Sequence, residues 1–456
     1  MKNWLEVSSM DRWWVDNVKV VDPVADRVFD GSLCVQDGLI AELREGPAPE
    51  DAPRLDGEGL HLAPGLVDLH VHLREPGFEE KETIESGSRS AARGGVTTLC
   101  AMPNTNPVCD DGPRVSYILE RSAQAGFAKV LPVGAITRGS EGRELADLGE
   151  MHYEGACAFS DDGRPVSDSG VMRRAMELGR TWDALIMSHS EERSLSEGGQ
   201  VHEGAMSAKL GLEGIPREAE SIAVDREVRL SRLTGARLHL CHLSSGSSVE
   251  ILRRAKADGL KVTGETTPHY LLLDDSAIEG YDTHKKMNPP IREKSDQEAL
   301  VAGLCDGTLD AVATDHAPHT EIEKNVEFAY APFGVIGLET SLAAVLTRLY
   351  HSKLMELPRV LALMSSRPGA ILGGNAGSLE PGSPADLCLF DPEEEWLVRA
   401  EDMASRSRNT AFEGMTLRGR VRATFLNGSP VYRRTMDEGK ENEVFTPAKR
   451  MQKSAS

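Results

Sequence analysis

Short apolar strands alternate with helical segments through the middle of the chain, between two β-rich ends, and this predicts an α/β protein. The expected architecture is a (β/α)8 TIM-type barrel over residues 64–376. A small composite β-sandwich domain would be formed from both termini, residues 15–63 and 377–435. A third observation supports the barrel: histidines and aspartates recur at the C-terminal ends of the strands, where such barrels build their active sites.

At the N-terminal end, residues 33–36 and 39–43 flank Asp37-Gly38, a hairpin signal because glycine accepts positive φ. The first ten residues show no partner pattern, and Met10 is an alternative start to Met1. Barrel strands are expected at 67–73, 97–102, 128–136, 156–160, 184–188, 237–242, 261–266 and 310–314. Between them, 83–93, 217–233 and 247–257 carry apolar residues at helical spacing. Such units over ~300 residues suit a barrel that takes ~250 residues and more with insertions. Strand texture returns at 385–390, ending at Asp391-Pro392, and at 423–426, before Asn427-Gly428. Residues 436–456 are polar and are expected to form a mobile tail.

Composition narrows the function classes. A chain of 456 residues that is 40% hydrophobic and 27% charged is an ordinary globular composition. No apolar run approaches the ~18–20 residues of a membrane span. The N-terminus lacks the marks of a secretory signal, so a cytoplasmic protein is expected. The seven cysteines form no CxxC pair and read as reduced thiols. A net charge of −21 argues against nucleic acid and anionic membranes as partners. An anionic small molecule would need local cationic groups to hold it against that field.

The chemistry lies at the strand ends. His70 and His72 stand two apart in Asp68-Leu69-His70-Val71-His72, so both project to one face. Asp162 follows the fourth strand, His189 the fifth, His242 ends the sixth and Asp315 follows the eighth. A lone HxH is a weak signal; Asp162 before Gly163 reads locally as a turn, and Asp315 as a helix cap. Their joint placement at one barrel mouth is what a pair of divalent cations needs. Arg74 lies two residues beyond His72, points to the same mouth and suits a carboxylate. Its bland alternative is a surface arginine paired with Glu75. His316 and His269 read as structural histidines, and Cys241 as core.

The wording around these residues is more specific. The stretch from Pro64 to Gly77, Lys81-Glu82-Thr83, Ala101-Met102-Pro103-Asn104-Thr105, Lys286-Met287-Asn288-Pro289-Pro290 and Ala313-Thr314-Asp315-His316-Ala317-Pro318-His319 resemble the amidohydrolase superfamily in its class I dihydroorotase form. The resemblance runs from about residue 15 to 432. It implies reversible hydrolysis of dihydroorotate to N-carbamoyl-aspartate, in pyrimidine biosynthesis, with one or two zinc ions and two expected. His70, His72 and Asp315 would hold the first ion, and His189 and His242 the second. Many relatives bridge their metals with a carbamylated lysine at the fourth strand, but here Asp162 stands in its place. Asp315 would accept and return the catalytic proton. Arg74, Asn104 and His319 would face the substrate carboxylate and Asn288 the ring, His72 would also touch the substrate, and Phe333 and Gly334 would supply backbone contacts.

The resemblance leaves other readings to weigh. A hydantoinase, dihydropyrimidinase or allantoinase would share barrel and metals, but Arg74 with Asn104 speaks against a neutral ring. A non-catalytic scaffold for aspartate transcarbamoylase would be expected to lack metal ligands. Association with that enzyme while active, and a homodimer, stay open. The polar segment 319–332 is expected to form a lid over the mouth.

Overall fold

The parallel strands of the centre are short and buried on both faces. The computed structural model describes residues 4–8, 10–437 and 440–448. Its barrel strands are Leu66–Val71, Val96–Ala101, Lys129–Gly134, Ala158–Phe159, Leu185–Ser188, Arg237–Leu240, Val262–Thr266 and Ala311–Val312. Neighbours in the chain are neighbours in the sheet, and every pair is parallel. Alternate residues divide the burial. Val67, Leu69, Cys100, Val133, Leu185 and Met187 fill the barrel, while Leu66, Leu99, Val130, Ile186 and Leu238 meet the helices outside.

Closure joins the first strand to the eighth. Val71 bridges His316 in parallel, and the His72 N–H donates to the His316 carbonyl at 2.8 Å. Asp68 accepts from the Thr314 N–H at 3.1 Å and from its hydroxyl at 2.6 Å. Burial pushes the Asp68 carboxyl up to about 6, against these bonds. The helices start where capping residues stand. Thr83 forms a capping box with Ser86 on helix Ile84–Arg93, Asp111 caps Gly112–Ala125 and Ser245 caps Gly246–Ala257. Helix Arg217–Thr234 ends on Gly235 at φ 72°.

Both termini build the second element, a sheet of nine strands. Its N-terminal part runs from Arg12–Asp22 to His61–Pro64, and its C-terminal part from Leu387–Leu397 to Lys440–Phe445. The two parts join where His61–Pro64 pairs antiparallel with Leu387–Leu397. Asp37-Gly38 turns as expected, at φ 52° and 76°, and Asn427-Gly428 does the same at φ 48° and 75°.

Three expectations at the ends need correction. The strand beginning at Leu387 does not stop at Asp391-Pro392 but continues to Leu397, with an irregular register between Asp391 and Glu395. Pro392, which has no N–H for the ladder, falls in that irregularity. The tail after residue 436 is not wholly mobile: Lys440–Phe445 pairs with Ser429–Asp437. Its acidic residues meet arginines, Glu443 on Arg93 at 2.9 Å and Glu441 on Arg420 at 2.7 Å. Residues 449–456 lie outside the described residues. Before Met10, helix Trp4–Val7 packs onto the terminal sheet, with Val7 buried and Trp4 stacked on Phe425 at 5.8 Å.

Candidate metal centre

The barrel's strand ends bring His70, His72, Asp162, His189, His242 and Asp315 together, each of them buried. Three residues at this mouth turn away from their strands through positive φ: Arg74 at 62°, His242 at 34° and Asp315 at 48°. Such backbone costs about 1–3 kcal/mol per residue, and sites that need an aimed side chain are where it persists.

Asp162 sits at the centre. Its Oδ1 lies 3.2 Å from His70 Nε2, 3.6 Å from His189 Nδ1 and 3.5 Å from His242 Nε2. Its Oδ2 lies 3.5 Å from His72 Nε2. The carboxylate therefore belongs to two ligand groups, one with His70 and His72 and one with His189 and His242. Asp315 Oδ1 joins the first group, 3.1 Å from His72 Nε2 and 3.7 Å from His70 Nε2.

The donor set fits cations. His70 Nε2 and Asp162 Oδ1 are buried without a hydrogen-bond partner among the described residues. His189 Nδ1 and His242 Nε2 face each other at 3.1 Å, so they must share a proton or give it up to a cation. Burial opposes the charge of every group here, yet the imidazoles hold Asp162 well below the usual carboxylate range. In turn, Asp162 and Glu191 outweigh burial and raise His189 to about 10. These are the protons that binding cations would displace.

The outer ring nitrogens fix which atoms point inward. His72 Nδ1 donates to Asn104 Oδ1 at 2.8 Å, which leaves its Nε2 lone pair for a cation. Glu191 stands 3.6 Å from His189 Nε2 and accepts from Asn288 Nδ2 at 3.0 Å. Glu191 was not among the expected site residues, since nothing in its spacing marks a residue that acts through another. Asp161, the chain neighbour of Asp162, instead accepts from the backbone N–H groups of Ile136 and Thr137, at 2.8 and 3.0 Å.

Above the ligands lies a cavity of about 240 Å³. Arg74, Asn104, Asn288, His319, Phe333 and Gly334 line it together with His72, Asp162, His189, His242 and Asp315. His70 lies beneath, fully buried. Arg74 is not paired with Glu75, which instead takes Arg121 at 2.7 Å. Its guanidinium donates to the Pro318 carbonyl at 3.1 Å and makes no ion pair among the described residues. Burial lowers it only to about 10, so it remains cationic at neutral pH.

His319 Nε2 donates to the Phe333 carbonyl at 2.8 Å. Burial and Arg74 push this imidazole down to about 3, so it is neutral and adds no positive charge to the cavity. Gly334, at φ 133°, leaves no room for a side chain, because a Cβ would come within 2.8 Å of Ala317. Asn409, also outside the expected set, ties the two cavity walls by donating to the carbonyls of Ala317 and Gly334 at 3.1 and 3.0 Å.

The segment 319–332 lies as a closed strap beside the mouth. Lys324 Nζ donates to the carbonyls of Thr283 at 3.0 Å and Pro332 at 2.8 Å, and Lys286 Nζ to those of Phe328 and Ala329 at 2.8 and 3.1 Å. Opening as a lid would have to break both sets. His316 is structural: its Nδ1 accepts from the Gly337 N–H at 3.2 Å, with Glu82 3.4 Å from its Nε2. His269 is buried against Tyr270, and burial lowers it to about 4.

Known proteins resemble this chain over nearly its whole length. A dihydroorotase of Syntrophotalea carbinolica is 49% identical over 92% of this chain and 98% of its own. The chain belongs to the dihydroorotase family. The family pattern described as "Dihydro-orotase-like" matches residues 59–248, the stretch that carries five of the six candidate metal ligands. A second member of the dihydroorotase family, from Pelotomaculum thermopropionicum, is 46% identical over 90% of this chain and 96% of its own. Among solved structures, an L-hydantoinase (dihydropyrimidinase) from Arthrobacter aurescens superposes with a TM-score of 0.84. It has 26% identity, over 92% of this chain and 96% of that one. A dihydropyrimidinase from Brevibacillus agri, 22% identical, shares the fold at a TM-score of 0.80.

Proposed function

We infer that this member of the dihydroorotase family interconverts dihydroorotate and N-carbamoyl-aspartate at a binuclear zinc centre held by His70, His72, Asp162, His189, His242 and Asp315. Family membership supports the activity, and the carboxylate shared by two histidine pairs supports two cations. When bound, zinc supplies an activated water and polarises the ring carbonyl. Everything else falls to the chain. Arg74 grips the substrate carboxylate at the far wall of the cavity. Asn104 keeps Nδ2 as a donor after its oxygen is taken by His72. His319 reaches a carboxylate as a donor only by releasing the Phe333 carbonyl, since its one proton is committed there. Asn288 faces the ring from the opposite side.

Asp315 moves the proton. The His72 bond and the nearby imidazoles hold its carboxylate well below the usual range in spite of burial, so it starts ionised. It accepts a proton from the attacking water and returns it to the departing ring nitrogen. Ring closure, the reverse reaction, joins a carboxylate to a ureido nitrogen and takes up a proton, so acid favours closure.

The observation that carries the substrate assignment is Arg74, a half-buried cation without an ion pair among the described residues, facing the metal ligands across the cavity. A neutral ring, as in a hydantoin, has nothing for it to hold. Replacing Arg74 by Met should cost about 2–3 kcal/mol, or ~30–150-fold in kcat/KM for dihydroorotate, mostly through KM. Any slow turnover of dihydrouracil should change little. Equal losses on both rings would remove Arg74 from carboxylate recognition.

The complete ligand set argues against a purely structural scaffold. Among the described residues no helix is long and apolar enough to cross a membrane.

A further inference from the structure

Below the metal ligands, inside the barrel, lies a carboxylate that the reaction scheme does not use. Glu265, on strand Val262–Thr266, is fully buried, as are His70 and His239. Its Oε1 lies 3.7 Å from His70 Nδ1 and its Oε2 3.1 Å from His239 Nε2. His239 Nδ1 in turn meets the Thr263 hydroxyl at 2.8 Å. A carboxylate removed from water is costly unless its charge is answered. Here the groups that answer it are two imidazoles, one of which is a candidate metal ligand through its other nitrogen.

We propose that Glu265, braced by His239 and Thr263, is a positioning residue that aims His70 Nε2 at its cation. One consistent direction of donors runs through the layer. His70 Nδ1, His239 Nε2 and both Glu265 oxygens are buried with no other hydrogen-bond partner among the described residues, so a Thr263 hydroxyl donating to His239 Nδ1 would leave the remaining N–H groups of His239 and His70 to face the two oxygens of Glu265. In that arrangement His70 keeps its proton on Nδ1 and turns the lone pair of Nε2 toward the cation. A carboxylate behind a ligating imidazole also strengthens it as a donor, and losing such a partner typically weakens metal binding ~10–100-fold. His72 and His189 have partners in Asn104, which lines the cavity, and Glu191, which is partly exposed, whereas Glu265 is fully buried inside the barrel.

This inference rests on the binuclear reading above, and the test separates the two. The full chain is stripped with a chelator and titrated with Zn2+ against a chromophoric competitor, as wild type, Glu265→Gln and His239→Gln. The wild type should bind two ions. Glu265→Gln should bind one of them ~10–100-fold more weakly and leave the other unchanged. Its kcat should fall in step, recover with excess Zn2+, and leave the KM for dihydroorotate as it was. A merely structural carboxylate would lower thermal stability without moving the zinc affinity. If Glu265→Gln does not fold, His239→Gln carries the test, with a smaller loss in the same direction. Wild-type affinity in the variants overturns the relay. So does a third ion in the wild type that is lost in Glu265→Gln, because His70, Cys241 and Glu265 would then be a buried metal site of their own. A wild type that binds no zinc removes the metal centre itself, and the relay with it.

Discussion

Replacing Asp315 by Asn should lower kcat by ~10³-fold or more in both directions, since positioned acid–base groups alone contribute ~10²–10⁴-fold. The side chain keeps its shape and its reach to His72 Nε2, 3.1 Å away. What it loses is the charge that accepts a proton. A ligand charge is lost as well, so zinc should bind more weakly at that position, but His70, His72 and Asp162 still form a ligand group and excess zinc should fill it. KM should change little, because Arg74 and Asn104 are untouched. Steady-state rates in both directions, with metal analysis of the same samples, check this. A folded, zinc-loaded Asp315→Asn enzyme with near-normal turnover would contradict the proton-transfer role.

Asp162→Ala should have the larger effect on metal binding. One carboxylate serves both ligand groups, so its removal takes a donor from each at once. Affinity at each position should fall by more than the ~100-fold typical of losing a supporting partner, and zinc content should drop well below two ions per chain. Activity should then depend steeply on added zinc. Without Asp162, His70 and His189 also lose the charge that offsets their burial, so the metal-free variant should melt at lower temperature than the metal-free wild type. Loss of a single ion, with the other bound normally, would show that Asp162 belongs to one position only.

The barrel was legible because parallel strands buried on both faces read as continuous apolar runs. The candidate ligands were legible because a barrel turns scattered positions such as His70, His189 and His242 into one mouth. What escaped are residues that act through others. Glu191, Glu265 and Asn409 have no characteristic spacing, and their partners are set by packing across strands far apart in the chain. The strand Lys440–Phe445 escaped for an electrostatic reason. Its glutamates look like a solvated tail until Arg93, Arg420 and Arg434 are placed against them. Segment 319–332, expected as a lid because it is polar, is held by its own carbonyls on the ammonium groups of Lys324 and Lys286.

The central claim is that this metal centre reads a ring bearing a carboxylate. Zinc-loaded protein assayed side by side on dihydroorotate, dihydrouracil, hydantoin and allantoin tests it most directly. Efficient hydrolysis of dihydroorotate, lost on chelation and restored by zinc, with little or no turnover of the three other rings, is the predicted result. Turnover of those rings without dihydroorotate, or activity indifferent to chelation, would contradict it.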